Sequence, residues 1–470
     1  MPKVLIIGGG VAALAAAAAL VEQNTLPSSI KFKVHIITQD DIWGGRACSW
    51  PGGGTRLREG MRQWDFRYWP QAVPLNHGFH AVFDETTYGN FWHTLKLAWP
   101  PPPWPALKGQ TLISNDYEIL LQEPKRRCSL KVGPLNRWVS VRTAWQLWLN
   151  GWRIREMRSF RKVLMEHVKK SPNFADIKNW EKFERASFIK WCQDGGLETG
   201  VFNKMMFKFL FQGTYVAPNE MDATSGLMGL WVLFRQRRAA QWYYINGGIS
   251  QCLFQPVLDY LSRSGDVTWD MSRSVDLLEY KYPPNRISNV ETSPWPDSLP
   301  GKRGTRFTEP FDYYVLTIPL KNAHALLGNV NSNMLHLFPN IVDLATSTHF
   351  KEDARTVNLQ AWFEEPHLID EHDKHGRLTK EYKNVISGLE PLCVIVDYKN
   401  ILPMYKTNPL FTGSVLEING SYEALQDYKY YGYWDCGNKF GDPHEKKTID
   451  FAKEILLDLA RRYHFPKLKT

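Results

Sequence analysis

Three consecutive glycines stand between an apolar run and an alanine-rich segment, and they constrain the fold more than any other feature. The apolar run is Val4–Ile7, the glycines are Gly8, Gly9 and Gly10, and the alanines begin at Ala12. A short apolar run bounded by glycine predicts a buried strand, and an alanine-rich stretch predicts a helix. The sequence therefore begins with a predicted strand, a tight turn and a helix.

The spacing Gly8-x-Gly10-x-x-Ala13 is that of a dinucleotide-binding turn, with alanine in the third place. Gly8 permits the tight turn, Gly10 lets the backbone approach a pyrophosphate, and Ala13 lets the helix pack closely on the strand. The helix amino terminus adds free N–H groups and the positive end of the helix dipole. Gly9 and Ala12 complete this predicted cofactor-binding turn. The alternative is a turn that needs glycine only for close packing.

A second strand, Lys33–Ile37, is followed by Gly44, Gly45 and Arg46. This block resembles the GGR motif of the flavin amine oxidase and carotene desaturase superfamily, in which it follows the second strand and lies beside FAD. The resemblance implies that the cofactor is FAD and that these three residues lie along its diphosphate and ribityl chain.

The chain departs from that superfamily where the second strand ends. The superfamily places a glutamate there, which binds the adenosine ribose, whereas this chain has Thr38. Threonine offers one hydroxyl and no bidentate carboxylate. We include Thr38 among the predicted cofactor-binding residues, and Asp40 or Asp41 could supply the carboxylate if the turn is remodelled.

The composition limits the class of protein. With 470 residues, 43% of them hydrophobic, the chain can form two or three closely packed domains. Its net charge of +9 is spread over short clusters, so we predict no nucleic-acid partner. Six cysteines without a C-x-x-C pair predict reduced thiols and no metal site. Without an apolar run of about 20 residues or a signal peptide, a cytoplasmic protein is expected.

Trp99 and Trp104 flank four prolines. Proline favours an extended segment that cannot join the interior of a sheet. The two tryptophans suit either a rigid surface loop packed back on the protein or a peripheral contact with a membrane interface. A membrane-surface subunit that uses this loop is compatible with an enzymatic role.

A histidine-rich block follows the glycine motifs, with His77 and His80 separated by Gly-Phe. It resembles the HGxH block of desaturase-like flavoenzymes. The resemblance implies that both histidines line the flavin ring, where they are the candidate catalytic acid and base groups. Either histidine could instead be a structural group bonded to the backbone. A metal site is not predicted, because no third ligand lies nearby in the sequence.

The rest of the chain also resembles the desaturase-like superfamily. Helical patterns between residues 140 and 235 resemble its helical substrate domain, and Val275 matches a valine whose backbone meets the adenine. A strand is predicted within Phe311–Leu320, and a surface insertion over residues 286–308, which are rich in Pro, Ser, Gly and charge. Three strand-like runs between residues 340 and 435 predict an antiparallel sheet, and Lys446–Arg462 predicts an amphipathic helix.

These patterns predict an α/β fold in which a Rossmann-like FAD-binding domain is interleaved with a substrate domain of antiparallel sheet and helices. The expected order is the first part of the FAD-binding domain, a mostly helical part, the return to the FAD-binding domain, and the substrate-domain sheet with its closing helix (1–95, 96–240, 241–330 and 331–470). The superfamily's C-terminal FAD motif has no counterpart here. We expect a longer polypeptide or a second chain to supply it.

The predicted function is that of an FAD-dependent oxidoreductase. The resemblance implies dehydrogenation of a bulky, apolar substrate, with hydride passing to the flavin. One alternative is an amine oxidase, and another is a non-catalytic protein of the same fold that escorts lipid or prenyl groups. The two intact glycine motifs favour the enzyme over the escort, because a site released from phosphate binding has little physical reason to keep both.

Overall fold

The structure is a computed structural model of the 470-residue chain. It describes the following residues: 1–27, 29–40, 42–50, 75–76, 81–83, 88–98, 112–114, 117–123, 126–132, 158, 162, 187–194, 221–226, 242–282, 286–294, 305–307, 311–329, 334–339, 356–363, 365, 368, 371–372, 375, 377–380, 385–387, 393–398, 414–421 and 446–463.

The first fourteen strands within the described ranges are β1 Lys3–Ile7, β2 Lys33–Ile37, β3 Ser49–Trp50, β4 Leu75–Asn76, β5 Ala81–Phe83, β6 Leu112–Ser114, β7 Tyr117–Glu123, β8 Arg126–Val132, β9 Trp242–Ile245, β10 Val267–Asp270, β11 Arg273–Lys281, β12 Arg286–Pro294, β13 Thr305–Phe307 and β14 Tyr313–Leu316. Six more follow: β15 Thr356–Phe363, β16 Glu371–His372, β17 Leu378–Lys380, β18 Val385–Ser387, β19 Cys393–Asp397 and β20 Ser414–Ser421.

The helices within the described ranges are α1 Val11–Thr25, α2 Gly89–Ala98, α3 Phe188–Asp194, α4 Gln255–Ser264, α5 Leu320–Leu327 and α6 Lys446–Tyr463. A π-helical turn, Ser250–Phe254, leads into α4, and α4 ends at Gly265 with φ +67°. Glycine adopts this left-handed conformation without strain, which explains why the helix ends there. None of these helices combines the length and apolar character that a membrane span requires.

The chain divides into two compact units. The first comprises Met1–His80, Tyr88–Leu112 and Ile245–Glu352, and the second comprises Ala81–Thr87, Ile113–Tyr244 and Asp353–Thr470. Each unit is therefore assembled from segments that are distant in sequence.

The first unit contains a parallel sheet in the order β10-β2-β1-β14. β1 pairs with β2 from Lys3↔Lys33 to Ile7↔Ile37, and with β14 from Val4↔Tyr313 to Ile7↔Leu316. The apolar run of β1 is buried because it is the second strand from an edge and is covered on both faces. The predicted strand in Phe311–Leu320 is confirmed.

The two faces of this parallel sheet carry different layers. α1 packs against β1 and β2, as well as against α2 and α4, through a buried stripe of small and apolar residues: Ala13, Leu14, Ala17, Ala18 and Val21. On the other face, Leu5, Ile7 and Ile37 join a core contributed by α5 and by the antiparallel sheet β11-β12-β13. The predicted α/β fold is thus realised as helices, parallel sheet and a second small sheet.

The predicted surface insertion over residues 286–308 is wrong in its main part. Residues 286–294 form β12, which lies between β11 and β13, and Ile287, Val290 and Thr292 on it are buried. The polar and proline-rich composition conceals this strand. The strand is stabilised by pairing on both edges and by the core beneath it, neither of which is encoded locally.

The second unit contains a six-stranded sheet in the order β15-β20-β19-β18-β7-β8. Neighbouring strands are antiparallel except β18 and β7, which run parallel. β15, β19 and β20 match the three predicted strand-like runs and pair antiparallel, as expected. Ile395, Val396, Leu416 and Ile418 lie in its buried centre. The predicted C-terminal helix is confirmed as α6, whose Ile455, Leu459 and Ala460 are buried.

Leu5 tests the dependence of the first unit on its central strand. Its side chain is 0% exposed, so Leu5→Ala is expected to lower the free energy of unfolding by about 2–5 kcal/mol through lost burial and a residual cavity. Urea denaturation followed by circular dichroism measures the change. Leu26→Ala, at a side chain 49% exposed, is the matched control and should cost less than about 0.5 kcal/mol. Equal losses in both variants would contradict the burial argument.

Candidate nucleotide-binding site

The turn between β1 and α1 is held in one conformation by its first glycine. Gly8 has φ +121°, a region that favours glycine, and its N–H donates to the Ile37 carbonyl at 2.8 Å. A Cβ built on Gly8 would lie 2.5 Å from the Thr317 hydroxyl oxygen, which itself donates to the Ile7 carbonyl. Gly8 is therefore required both by conformation and by its protein neighbours.

Gly9 is required by a different neighbour. A Cβ at this position would overlap the side chain of Thr38, which follows β2 and is 1% exposed. The Thr38 hydroxyl accepts the Asp40 N–H at 3.3 Å. Thr38 therefore packs against the glycine turn, and its hydroxyl is hydrogen-bonded to the backbone two residues further along the chain.

Gly10 has neither requirement. Its φ of −81° and ψ of −176° are extended values that other residues adopt. Among the described residues, the one atom within 4 Å of a Cβ built there is the Gly44 carbonyl oxygen, at 4.0 Å. Gly10 is the N-cap of α1, which has no side-chain cap and no acidic residue in its first turn. Space is therefore left open directly in front of a helix amino terminus, where N–H groups and the helix dipole favour an anion.

The other two small residues of the motif differ in exposure. Ala12 is exposed on the first turn of α1, whereas Ala13 is 0% exposed. The close packing of α1 on the sheet explains the small residue at position 13.

The second glycine motif docks on the first. The Gly44 N–H donates to the Gly9 carbonyl at 2.9 Å, and Gly44 and Gly10 form an isolated parallel bridge. Gly44 and Gly45 have φ values of +118° and +56°, and a Cβ on Gly45 would lie 3.2 Å from the Gly10 Cα. A Cβ on Gly44 would overlap the ring of Phe254. Two glycine-rich backbones therefore line one cradle.

A hydroxyl network behind the cradle fixes the second motif. The Ser250 hydroxyl accepts the Ser49 N–H at 2.9 Å and donates to the Trp43 carbonyl at 3.0 Å. The Ser49 hydroxyl, which is buried, accepts the Ser250 N–H at 2.9 Å and donates to Gln251 Oε1 at 2.8 Å. These bonds tie both sides of Gly44-Gly45 to the π-helical turn before α4.

The carboxyl ends of β2 and β10 lie next to each other at the edge of the parallel sheet where β1 leads into the glycine turn. The Thr38 N–H donates to the Asp270 carbonyl at 3.0 Å, and the Arg273 N–H donates to the Thr38 carbonyl at 2.9 Å. Ser272 between them has φ +61°, and its N–H donates to the Asp40 carbonyl at 3.3 Å. The turn after β2 and the turn after β10 are therefore braced against each other.

A partly buried histidine, His35 on β2, lies beneath this edge. His35 Nδ1 is 2.8 Å from the Thr268 hydroxyl oxygen, and His35 Nε2 is 3.6 Å from an Asp270 carboxylate oxygen. Burial lowers the pKa of His35, and the Asp270 carboxylate opposes that shift. The Asp270 carboxylate is also 3.9 Å from Arg273 Nε. This carboxylate thus lies between His35 of its own sheet and Arg273 at the start of β11.

A thiol near the cradle is unsuited to nucleophilic chemistry. Cys252 lies in the π-helical turn, and burial raises the pKa of its thiol to about 11. The thiol therefore stays protonated at neutral pH, whereas the thiolate is the nucleophile.

The structure brings together Gly8, Gly9, Gly10, Thr38, Gly44 and Gly45 from the predicted set. The backbone of Arg46 lies in the short helical turn Gly45–Ala47. Val275 lies in β11 and packs against the core of the first unit. His77, His80 and the Trp99–Trp104 loop lie outside the described residues, so the predictions made for them stay predictions.

Three residues of the cradle escaped the sequence analysis. Phe254 and Thr317 contact the glycines themselves, and Ser250 binds the residues that flank the second motif, all from segments more than 200 residues away. The signal for Ser250 was its position just after Gly247-Gly248, and that for Thr317 was its position at the end of a predicted strand. Neither signal identifies the contact, because only the fold brings these segments together.

Comparisons with known proteins agree with this architecture. Residues 6–96 match the model of an NAD(P)-binding Rossmann-like domain. No curated protein sequence matches the chain. The chain is similar in structure to cyclohexylamine oxidase from Brevibacterium oxydans, with 16% identity, a TM-score of 0.55, and coverage of 100% of this chain and 82% of that one.

Two further structures show the same likeness. An oxidoreductase from Methanosarcina mazei is 12% identical, with a TM-score of 0.55 and coverage of 99% of this chain and 85% of that one. A triple mutant of putrescine oxidase is 14% identical, with a TM-score of 0.56 and coverage of 100% and 82%. The chain is therefore similar in fold to these oxidoreductases, which confirms the predicted α/β class.

Ser250→Ala tests the support of the second motif. The variant leaves the Ser49 N–H and the Trp43 carbonyl without their partner, so we expect a loss of about 1–3 kcal/mol in the free energy of unfolding. Urea denaturation provides the measurement, and Ser262→Ala, at an exposed position on α4, is the matched control. A loss no larger than that of the control would show that the hydroxyl network is not structural.

Proposed function

We propose that the chain is an FAD-dependent oxidoreductase. The observation that carries the proposal is the open space at Gly10. Neither the backbone conformation nor packing against the described residues requires glycine at this position, which lies where a helix amino terminus meets a second glycine motif. A ligand whose phosphates approach the backbone explains why the position is glycine.

The residues present fit the cofactor. Gly8, Gly9 and Gly10, with the first N–H groups of α1, would hold the diphosphate, and the docked Gly44-Gly45 would lie along it. Ala12 and Ala13 would give the diphosphate a first turn free of bulky side chains. Val275 would contribute backbone groups toward the adenine, and Arg46 would lie near the diphosphate and ribityl chain. FAD, when bound, supplies the capacity to accept a hydride from a substrate C–H bond.

The main role of the chain's own residues at the cradle is to bind and orient the cofactor. The braced glycine backbones present donors without the reorganisation that flexible side chains would require, which favours tight binding of an anionic group. His77 and His80 are proposed to hold or move a proton beside the flavin ring. We propose, on the desaturase-like blocks of the sequence, that the substrate is bulky and apolar.

A second candidate is the oxidation of amines. It is favoured by the fold shared with cyclohexylamine oxidase and putrescine oxidase. The two candidates use the same cofactor site and differ in the bond that is dehydrogenated, a C–C bond in one case and a C–N bond in the other.

The cofactor is tested with a matched pair of glycine variants. The purified protein should show a flavin absorption band and release FAD on denaturation. Gly10→Ala should leave the apoprotein stability within about 1 kcal/mol, because the poorer N-cap and the less flexible unfolded chain act in opposite directions. It should raise the dissociation constant for FAD at least about tenfold, equivalent to about 1.4 kcal/mol, as measured by quenching of flavin fluorescence.

Gly9→Ala separates a packing defect from a binding defect. Its methyl group would overlap Thr38, so the free energy of unfolding should fall by about 1–3 kcal/mol.

A colourless protein that stays colourless with added FAD would overturn the enzymatic proposal and favour the escort protein. Unchanged FAD affinity in Gly10→Ala would remove the diphosphate from this cradle.

The substrate class is tested by anaerobic bleaching of the bound flavin. We expect a long-chain polyene hydrocarbon to bleach the visible flavin band and putrescine to leave it unchanged. Bleaching by cyclohexylamine or putrescine and not by the polyene would move the function to the second candidate.

A further inference from the structure

His35 is a titratable side chain in a mostly apolar setting. Its side chain is 16% exposed. The imidazole is stacked on Phe311, with ring centroids 6.1 Å apart and planes 19° apart, and it is tilted against Phe307 at 5.5 Å. Leu5, its partner on β1, is fully buried. Such neighbours solvate a positive charge far less well than water does, so the surroundings favour the neutral ring.

Two polar contacts determine which nitrogen of the neutral ring carries the hydrogen. Nε2 of His35 lies 3.6 Å from an Asp270 carboxylate oxygen, and Nδ1 lies 2.8 Å from the Thr268 hydroxyl oxygen. A carboxylate favours the tautomer with the hydrogen on Nε2, so Nδ1 accepts a hydrogen bond from the Thr268 hydroxyl. A second proton has to bind at Nδ1, where it forces this hydroxyl to turn and accept. Protonation therefore changes the bonds of the ring as well as its charge.

The charged groups around His35, among the described residues of the elements packed against it, are Asp270 on β10 and Arg273 at the start of β11. The Asp270 carboxylate lies 3.9 Å from Arg273 Nε. A positive charge on His35 would therefore share one carboxylate with a guanidinium. Burial lowers the pKa of His35, and the Asp270 carboxylate only partly offsets this shift.

Asp270 connects this ring to the turns after β2 and β10. Its carboxylate faces His35, while its backbone carbonyl accepts the Thr38 N–H at 3.0 Å. The Thr38 carbonyl in turn accepts the Arg273 N–H at 2.9 Å. A rearrangement of Asp270 or Arg273 around a charged ring therefore acts on the backbone that packs Thr38 against Gly9.

We propose that the His35–Asp270 contact makes this edge sensitive to acid: protonation of His35 loosens the turns after β2 and β10 and releases a nucleotide bound at the glycine turn. The acid sensitivity needs no cofactor, whereas the release rests on the proposed function.

The direction of the effect follows from the proton affinities of the two states. The folded chain protonates His35 less readily than the unfolded chain does. The stability is therefore fully present above the ordinary histidine pKa of 6.5 and is lost as the pH falls below it. The loss levels off below the lowered pKa of the folded chain, where both states carry the proton. A ligand that binds only the ordered edge loses affinity over the same interval, because proton binding and ligand binding are linked.

Acid sensitivity is tested with two variants that have no ionisable group at position 35. His35→Gln keeps a polar side chain, and His35→Phe keeps an aromatic contact with Phe307 and Phe311. Urea unfolding of the full chain is followed by circular dichroism from about pH 7.5 to about pH 5, across the range in which histidine titrates. Because one pKa unit changes an equilibrium about tenfold, the unfolding constant of the natural sequence should rise several-fold more than that of either variant.

Two further variants separate titration from a loss of structure. His336→Gln removes an exposed histidine of the same unit and should leave the pH dependence unchanged. Asp270→Asn removes the carboxylate that favours the imidazolium, so its loss of stability in acid should be greater than that of the natural sequence. If the His35–Asp270 contact were merely structural, this variant would instead lose stability by the same factor at every pH.

Release is measured as the affinity for FAD, by quenching of flavin fluorescence. The dissociation constant of the natural sequence should rise several-fold from about pH 7.5 to about pH 5.5, whereas that of His35→Gln should stay within about twofold over this interval.

The outcomes separate this inference from the proposed function. Equal pH dependence of stability in the natural sequence and in both position-35 variants would overturn the acid sensitivity. Stability that depends on His35, together with an FAD affinity that does not change with pH, would overturn the release. Absence of FAD binding at every pH would overturn the proposed function, and the urea measurements alone would then decide whether His35 makes the edge sensitive to acid.

Discussion

The first unit depends on the close approach of two glycine-rich backbones. Gly44 donates its N–H to Gly9, and Gly45 lies so near Gly10 that a Cβ would be 3.2 Å from the Gly10 Cα. Such an approach leaves little room for a side chain at Gly45, and it needs the left-handed conformations of Gly44 and Gly45. The cradle is thus a tertiary contact between two turns that are separated by a complete helix and strand.

The surrounding elements can be understood as supports of that contact. Thr317 and Thr38 fill the space behind Gly8 and Gly9, while Phe254 covers Gly44. The hydroxyls of Ser49 and Ser250 satisfy backbone groups on both sides of the second motif. Because close-packed backbones leave few routes for water, each of these polar groups needs a protein partner, and serine and threonine provide one at little volume. Open space remains at Gly10, at the amino end of α1.

The carboxyl edge of the parallel sheet extends this arrangement toward β10. There the backbone bonds among Thr38, Asp40, Ser272 and Arg273 join two turns, and a partly buried His35–Asp270 pair lies beneath them. Position 38, where dinucleotide-binding domains of this kind carry an acidic side chain, is occupied by Thr38, and the turn that follows it is held by these backbone bonds. The edge retains a fixed backbone and an exposed carboxylate two residues further along.

Elements whose signals are local could be predicted from the amino-acid sequence. Val4–Ile7 is a strand and the alanines after it form a helix, because burial and helix propensity act over a few residues. The glycine spacing also indicated the cradle. That residues 286–294 form the middle strand of a sheet could not be predicted locally, because their pairing partners and the core beneath them come from distant segments. The same holds for the support that Ser250, Phe254 and Thr317 give to the glycines, and for the contact of Thr38 with Gly9. These contacts join residues as far apart as positions 8 and 317, and no local pattern records which distant side chain will fill a given space.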